Sequence, residues 1–539
     1  MLMQGIDVLL VGAYFLIVMI LGIRTGRGRR KSAADYFVSK GALPWWAIGA
    51  AYVATGMNSE QLIGLNGMAY KIGLPMANWS LIAPFVYGVL IFVFFPMYLR
   101  NGIVTVPQYL GKRFDKRSEN VFSMLLLISY ILLNLAVVFY GGAKLLEVVF
   151  SIPLWVGLVL LAVVAGVYTM YGGQSSMVYT AVLQFALIFG SGLLLFVLGL
   201  LKLPNGWHDV VANAPCGFHL IKPTDYAMIP WHAIVITIFG LHLFYSCINQ
   251  ALVQRGFGAR TEWDVRMALV FAGFFVLIRP FIEVFPGMMA RALAVHNPVY
   301  AVHAGTIDNV FPLLVREWVP AGLRGVIIIG ILSSIMSTIS AFLQSISTLF
   351  TYDVYKKWIR KDATDAQMVR VGTICTLLLM VFSVFYCPLI GKLGGIFQYF
   401  QSMATYLAVP IATVYLFGMF WKRATAAGAL AVVVLGIPIG VAINQFLIPL
   451  AFSPAAIKLY SLDNFFVASG FNEVACSIVM IVVSLFTRPR PESEISSFLW
   501  SRKMLFLPSE EAKRPWFKSV AFWFALLCAT FAVVYIKFW

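Results

Sequence analysis

Residues 54–61, ATGMNSEQ, form a polar, glycine-containing interruption inside the apolar run 44–69. A second interruption, HLFYSCINQ at residues 242–250, lies five apolar runs further along the chain. Discontinuous helices at matching places in two halves of a chain are typical of membrane transporters built from inverted repeats. The alternative is that these polar residues only pack neighbouring helices together. Two interruptions at matched positions favour a binding site at the breaks.

The composition is that of a membrane protein. Of the 539 residues, 61% are hydrophobic and 11% are charged, and the mean hydropathy is +0.88. A soluble domain of this length needs far more charged surface. The formal net charge of +17 does not indicate a nucleic-acid partner. The Lys and Arg residues stand between apolar runs, where they orient a chain in the lipid bilayer.

A spanning helix needs about 20 apolar residues, so the sequence predicts an all-α polytopic protein with about 14 transmembrane helices. The run 322–352 is longer than a straight crossing requires, which predicts a tilted helix or one that projects into water. The predicted spans are 6–23, 44–69, 74–98, 120–148, 153–171, 177–201, 231–252, 264–290, 322–352, 369–388, 393–420, 426–449, 467–487 and 518–537.

The basic residues predict the orientation. With 14 spans, every basic cluster falls on one side, which the positive-inside rule assigns to the cytoplasm. Both termini then face away from the cytoplasm, and the first apolar run is a retained helix rather than a cleaved signal peptide. The clusters are Arg24–Lys31, Arg100–Arg117, Arg255–Arg266, Lys356–Arg370, Lys422–Arg423 and Arg488–Arg514.

The two interruptions also predict the domain organisation. Each begins a unit of five helices, and inverted repeats pair such units around a central site. The predicted parts are a leading helix and basic cytoplasmic loop at 1–43, a first inverted repeat at 44–201, an extracytoplasmic loop at 202–230, a second inverted repeat at 231–420, and peripheral C-terminal helices at 421–539.

The ninth predicted span carries a dense cluster of hydroxyl side chains from Ser333 to Thr348. By spacing, Ser334, Ser337 and Thr338 share one helical face. Hydroxyls in lipid usually bond a carbonyl one turn back, which is a sufficient role for some of them. Na⁺ prefers oxygen ligands, from hydroxyls and from carbonyls freed at a broken helix. The cluster therefore favours ion ligation near Ala54 and Met57 over packing alone.

Several charged and polar residues lie at predicted membrane depth. Glu60 is either a functional carboxylate or a charge at the start of a half-helix. Arg279 and Glu283, four residues apart, form a structural ion pair or a clamp on a solute. The remaining polar groups suit a hydroxyl-rich solute, which needs many fixed donors and acceptors. They are Gln61, Asn66, Trp79, Ser80, His242, Tyr245, Asn249, Gln250, Gln398 and Gln401.

The chain resembles the sodium/solute symporters, and among them the sodium–glucose cotransporter-like group. The similarity extends over roughly residues 5–490. The segments that carry it are Asp35-Tyr36-Phe37, SEQLIG at 59–64, GIVTVPQY at 102–109, Asn249-Gln250 with Val253-Gln254-Arg255, Pro280 with Pro286-Gly287, Met336-Ser337-Thr338, and Gln401-Ser402 with Pro410-Ile411.

This resemblance implies a fold like that of the amino-acid transporter LeuT, with two inverted five-helix repeats and alternating access. Its Na⁺ site falls on the carbonyls of Ala54, Met57 and Ser334 and the hydroxyls of Ser337 and Thr338. The implied solute ligands are Gln61, Ser80, His242 and Gln401, and the implied inner gate is Tyr245.

The chain also departs from the sugar-transporting members. Ser80 stands where a Glu is common, His242 where Asn or Thr is common, and Val276 where a Lys is common. A sugar derivative, a sugar acid or another polyol-like solute is therefore as well supported as a plain hexose. Ala181 follows Tyr179-Thr180, where relatives often carry an Asp, which predicts one Na⁺ per solute.

The sequence thus predicts Na⁺-coupled symport of a small polar solute, a sugar or a sugar derivative, in the bacterial inner membrane. Na⁺, the solute and the lipid bilayer are its predicted partners. One alternative is symport of a sugar acid, a carboxylate or another small metabolite, including proton coupling through Glu60 or His242. Another is a membrane solute sensor, although residues 488–517 are too short for an output domain. No catalytic motif is present, which predicts that the protein is not an enzyme.

Overall fold

A computed structural model describes residues 5–26, 32–58, 60–215, 217–226, 229–301, 307, 309–320, 322–388 and 396–539. Within these ranges it leaves out the side chains of 60, 148–150, 396–404 and 512. Regular structure in the described residues is helical, apart from one isolated bridge between Leu43 and Ala259. The predicted all-α fold class is confirmed.

Ten helices in the described residues are long and apolar enough to cross a membrane, or up to eleven if a bent pair counts as one span. These lengths match the roughly 30 Å apolar core of a bilayer. The ten are Gly5–Gly26, Leu74–Arg100, Lys116–Glu147, Leu154–Lys202, Trp231–Ile248, Arg324–Ile359, Asp365–Tyr386, Ala426–Ala451, Phe465–Phe486 and Val520–Lys537. Shorter helices lie between them, among them Ala33–Phe37, Val106–Arg113, Trp207–Ala212 and Val310–Trp318.

The remaining predicted spans are helices that break, bend or join. The predicted span 44–69 consists of Trp45–Gly56, a break, and helical turns over 60–72. The predicted span 264–290 is the bent helix, Glu262–Val276 followed by Arg279–Ala294 at 47°. The predicted spans 153–171 and 177–201 join in Leu154–Lys202, and the span 393–420 corresponds to helix Ile396–Phe420.

Two helices are broken by extended backbone at the sequence interruptions. In the first broken helix, residues 45–72, Met57 has φ −108° and ψ 90°. In the second broken helix, residues 231–257, Asn249 has φ −65° and ψ 109°. Both values lie outside the helical region. The Asn249 side chain accepts the Ala251 N–H, so it caps the helix that restarts at Gln250.

The serine helix, Arg324–Leu349, lies at the centre of the protein and is buried along almost its whole length. It packs against Gly5–Gly26, Leu154–Lys202 and the first broken helix. The predicted extension of this span is present, because wider helical turns continue it to Ile359 and end in exposed residues. Polar residues on so buried a helix must find partners within the protein.

Basic residues that the sequence places in cytoplasmic loops are partly structural. Arg113 is buried, and it donates to the carbonyls of Gly418 (2.7 Å) and Trp421 (3.0 Å). These are carbonyls at the end of Ile396–Phe420, which the helix itself leaves unpaired. Arg255 and Arg266 are buried as well. The fold therefore uses the charges of these three arginines internally.

Gly173 allows the two spans of Leu154–Lys202 to join. Its φ of 56° and ψ of −148° lie in a region open essentially to glycine alone. A Cβ on this residue would come within 2.3 Å of the Tyr36 carbonyl oxygen. That oxygen also accepts a hydrogen bond from Gln344 of the serine helix (3.1 Å). The close approach therefore connects the kink to the centre of the protein.

Replacing Gly173 by Ala should lower the melting temperature of the purified protein, because backbone strain alone costs on the order of 1–3 kcal/mol. Thermal unfolding in detergent, followed by tryptophan fluorescence, measures the shift. Gly190→Ala is the matched control, since Gly190 lies in the same helix with open space around its Cβ position. A melting temperature for Gly173→Ala equal to that of the control would contradict this account of the kink.

Candidate functional site

The break in the first broken helix lies against the hydroxyl face of the serine helix. Ser334 Oγ donates to the Met57 carbonyl oxygen. Thr338 Oγ1 contacts the carbonyl oxygens of Thr55 (3.4 Å) and Ser334 (3.0 Å). Ser337 Oγ lies 3.3 Å from Thr55 Oγ1. We call this cluster, Thr55, Met57, Ser334, Ser337 and Thr338, the junction.

The junction brings together the residues predicted to ligate Na⁺. Ala54 precedes Thr55 in the last turn before the break and is fully buried. Thr338 makes the bond one turn back and also contacts a carbonyl oxygen at the break. Sequence reasoning missed Thr55, which contributes a carbonyl and a hydroxyl. Its position next to Ala54 inside the interruption was the available signal.

A cavity lies beside the junction, between the two broken helices. It encloses about 780 Å³ of empty space, part of it open to solvent. Its wall mixes aromatic rings with polar groups, the combination expected for a hydroxyl-rich solute. The wall includes Tyr52, Thr55, Asn58, Gln61, Trp79, Asn134, His242, Tyr245, Asn249 and Arg279.

Three of the predicted solute and gate residues line this cavity, namely Gln61, His242 and Tyr245. The His242 ring packs against Trp79 with centroids 4.7 Å apart. Ser80 is buried off the cavity wall, and its hydroxyl donates to Glu283 Oε2 (2.8 Å). The side chains of Gln401 and Glu60 lie outside the part of the chain that the structure describes.

Arg279 faces the cavity from the start of the second half of the bent helix. Its Nε and Nη2 donate to Glu283 at 2.9–3.1 Å. Nη2 also donates to the Gly56 carbonyl (3.2 Å) and to Gln61 Oε1. The predicted ion pair is present, and its arginine lies on the cavity wall. The two interpretations of the pair, a structural contact and a solute clamp, are therefore compatible.

Arg255 is the second guanidinium near the cavity, and sequence reasoning placed it in a cytoplasmic basic cluster and in a segment that carries the family resemblance, but not at the site. It is fully buried, and its Nη2 donates to Thr55 Oγ1. Its Nε and Nη1 have no hydrogen-bond partner among the described residues. An uncompensated buried cation is costly, so this part of the protein is poised to interact with negative charge.

Glu473 is a buried carboxylate that sequence reasoning did not single out. It lies in Phe465–Phe486, where Oε1 accepts from Thr413 Oγ1 (3.1 Å) and Oε2 has no partner in the described residues. A Cβ on Gly240, in the second broken helix, would come within 3.3 Å of Oε2. The available signal was an acidic residue inside an apolar run, the pattern already noticed at Glu60.

Comparison with solved structures shows the fold. The structure of a substrate-bound, outward-open Na⁺-coupled sialic acid symporter superposes with a TM-score of 0.77 at 21% sequence identity. The match covers 90% of this chain and 99% of that one. The protein therefore has the helical architecture of the LeuT-fold transporters.

Comparison with known sequences shows the family. The sequence model of the sodium:solute symporter family matches residues 36–436. The sodium/glucose cotransporter of Vibrio parahaemolyticus is 31% identical over 497 residues, which cover 88% of this chain and 91% of that protein. The human sodium/myo-inositol cotransporter is 30% identical over 571 residues, with 95% and 79% covered. The chain therefore belongs to the sodium:solute symporter family.

Proposed function

We propose that the protein is a secondary active transporter that couples uptake of a small polar solute, a sugar or a sugar derivative, to entry of Na⁺. The observation that carries this proposal is the junction, where hydroxyls of a buried helix meet carbonyls of a broken one beside a polar cavity. The names of the relatives, which are cotransporters of Na⁺ with glucose or myo-inositol, support the same function.

Na⁺ binds, in this proposal, to the carbonyls of Ala54, Met57 and Ser334 and the hydroxyls of Ser337 and Thr338. The donor set consists of oxygens alone, which suits a hard cation. Hydroxyl protons that now point at carbonyls would rotate away and turn their lone pairs to the ion. Thr55 adjoins the same site through its carbonyl and hydroxyl. One Na⁺ accompanies each solute molecule.

The solute occupies the cavity beside the ion. Gln61 and His242 contact it from the two broken helices, Gln401 contacts it from Ile396–Phe420, and Ser80 acts through Glu283. Tyr245 closes the inner side, since it lines the cavity within the second broken helix. Alternating access then opens the cavity to one side of the membrane at a time, as inverted repeats allow. The repeats are 44–201 and 231–420.

The chain then crosses the inner membrane fourteen times. Ten crossings are the helices named above, one more comes from counting Leu154–Lys202 as two spans, and the last three are the first broken helix, the bent helix and Ile396–Phe420. Both termini then lie outside the cytoplasm. The Trp539 carbonyl lies 2.6 Å from His219 of the loop 202–230, which supports one side for that loop and the C-terminus. Asp7 accepts the N–H of Gly325 (2.7 Å), which supports the same side for the N-terminus.

Removing the two hydroxyls in Ser337→Ala/Thr338→Ala should raise the Na⁺ concentration for half-maximal uptake at least roughly tenfold, a loss of about 1.4 kcal/mol. We would measure this concentration from the uptake of labelled hexoses, polyols, sugar acids and amino acids into proteoliposomes, with Na⁺ or K⁺ outside.

Ser347→Ala is the control for this pair. Ser347 lies on the same serine helix but away from the break, and its hydroxyl donates to the Gly372 carbonyl (2.8 Å). Equal uptake without Na⁺, or an unchanged Na⁺ dependence in the double variant, would refute the ion site. A proton gradient that replaces Na⁺, with loss of uptake in Glu60→Gln, would indicate proton coupling instead.

Replacing Tyr52 by Phe should weaken the coupling between Na⁺ and solute. The Tyr52 hydroxyl donates to the Ser246 carbonyl (2.8 Å), which connects the first broken helix to the residue after the gate. Loss of this buried bond costs about 1–3 kcal/mol. The factor by which solute raises Na⁺ affinity, measured on the purified protein, should fall. Tyr98→Phe, which removes a bond to the Cys247 carbonyl (3.0 Å), is the control and should leave the factor unchanged.

The topology predicts which single cysteines react from outside the cell. In a background without the six native cysteines, His208→Cys and Trp539→Cys should react with an impermeant maleimide in intact cells. Lys361→Cys should react only after the membrane is permeabilised. All three positions are exposed, so accessibility depends on the side of the membrane. Labelling of Lys361→Cys in intact cells would show that this loop lies outside the cytoplasm and would contradict the proposed orientation.

A further inference from the structure

The Arg279 guanidinium is fixed before any solute arrives. Glu283 accepts from Nε and Nη2 in a bidentate ion pair, and the Gly56 carbonyl and Gln61 Oε1 of the first broken helix also accept from Nη2. The Ser80 hydroxyl donates to Glu283 Oε2 and so holds that carboxylate in place. Nη1 makes no hydrogen bond among the described residues, and it lies 4.0 Å from the Cβ position of Gly56, a residue of the cavity wall. A preorganised guanidinium whose Nη1 is free to donate is suited to bind a carboxylate oxygen.

The charge around the cavity is positive. Arg279 and Glu283 cancel, but Arg255 has no carboxylate partner among the described residues. The proposed Na⁺ adds a second positive charge. The carboxyl end of Trp45–Gly56 offsets only about half a charge. Among the described residues, the surroundings of the cavity with the ion bound therefore carry an excess of more than one positive charge.

The second broken helix adds to this potential. Asn249, Ala251 and Leu252 line the cavity at the start of the helix Gln250–Phe257. The amino end of a helix carries a partial positive charge and favours anions. The second broken helix, which also carries Arg255, thus adds positive potential that would stabilise an anion in the cavity.

The cavity wall presents few charged hydrogen-bond acceptors to the hydroxyls of a neutral sugar. Glu283 is the one carboxylate seen near the cavity in the described residues, and its oxygens already accept from Arg279 and Ser80. A carboxylate on the solute would instead accept from Nη1 of Arg279 and balance the buried charge of Arg255. Its hydroxyls would meet Gln61, Asn134 and His242.

We infer that the solute is a polyhydroxylated monocarboxylate, a sugar acid, and that Arg279 binds its carboxylate. This inference rests on the proposed function and specifies its substrate class. It assigns Glu283 and Ser80 as positioning residues that hold the arginine. It also accounts for a buried Arg255 without an acidic partner, because the solute supplies the missing negative charge.

The test compares acids with their neutral counterparts: D-glucuronate with D-glucose, D-galacturonate with D-galactose, and D-gluconate with D-sorbitol. Binding to the purified full-length protein at saturating Na⁺ is followed by tryptophan fluorescence, and Na⁺-driven uptake is followed in proteoliposomes. At least one acid should bind at least roughly tenfold more tightly than its neutral partner and should accumulate. An absence of binding by every acid, or tighter binding of the neutral members, overturns the inference.

Variants separate recognition from folding. Arg279→Gln/Glu283→Gln removes both charges and leaves no buried ion unpaired, so it should fold, retain the fluorescence response to Na⁺, and lose the preference for the acid. Arg279→Lys keeps the charge without the planar fork and should restore part of that preference. Retention of the full preference in the double variant would exclude Arg279 as the anchor.

Arg291→Gln is the matched control. Arg291 lies on the same bent helix as Arg279, donates to the Tyr70 carbonyl (3.3 Å), and does not line the cavity. It should keep the acid preference. The two proposals fail differently. Na⁺-driven uptake of neutral members alone would overturn only the sugar-acid inference. Lack of any Na⁺ response in the wild-type protein would overturn the proposed function together with it.

Discussion

The architecture depends on how the chain satisfies backbone groups where a helix stops inside the membrane. Lipid offers no hydrogen bonds, so a broken helix is tolerated only where protein or enclosed water meets its free carbonyls and N–H groups. At Met57 the serine helix supplies a hydroxyl to the exposed carbonyl. At Asn249 the side chain caps the restarted helix, and its Oδ1 also accepts from the Tyr130 hydroxyl (2.6 Å). Each break is therefore stable only in its present surroundings.

The same requirement concentrates positive charge at one place. The carboxyl end of Trp45–Gly56 presents carbonyls and a partial negative charge. Arg279 donates to the Gly56 carbonyl, and Arg255 donates to the Thr55 hydroxyl next to it. The proposed Na⁺ would join them at the adjacent carbonyls. Three cations around one helix end explain why binding of ion and solute would be interdependent, since each changes the charge that the others experience.

Sequence reasoning located the two breaks and the serine helix because local sequence patterns indicate both. An apolar run interrupted by polar and glycine residues has few structural solutions, and serines spaced three and four apart must share a face. The meeting of the two at the junction followed from that spacing and from the resemblance. The sequence could not show that Gly173 joins two spans through a kink without an intervening loop, because that depends on the close approach of Tyr36.

Other features were hidden because they depend on tertiary contacts. Arg255 stands in a basic cluster next to Arg260 and Arg266, and its position in the sequence suggests a loop charge, yet the restarted helix carries it into the protein beside Thr55. Ser80 lies in an apolar run like the other polar candidates, but it bonds Glu283 of the bent helix and does not line the cavity. Glu473 was visible as a lone acid and was overlooked, since its helix lies outside the predicted repeats.

The hydrogen bond from Tyr52 to Ser246 suggests how the two ends of the cavity communicate. Tyr52 lies one turn before Thr55 of the junction, and Ser246 follows Tyr245 of the proposed gate. A change in the last turn of Trp45–Gly56 on ion binding would therefore move a donor that the second broken helix needs. Coupling between ion and solute must be reciprocal, so a solute that displaces Tyr245 acts back on the junction through the same bond. Two broken helices connected near their breaks give this coupling a short path, because the groups left unpaired by the breaks adjoin the proposed ion and solute sites.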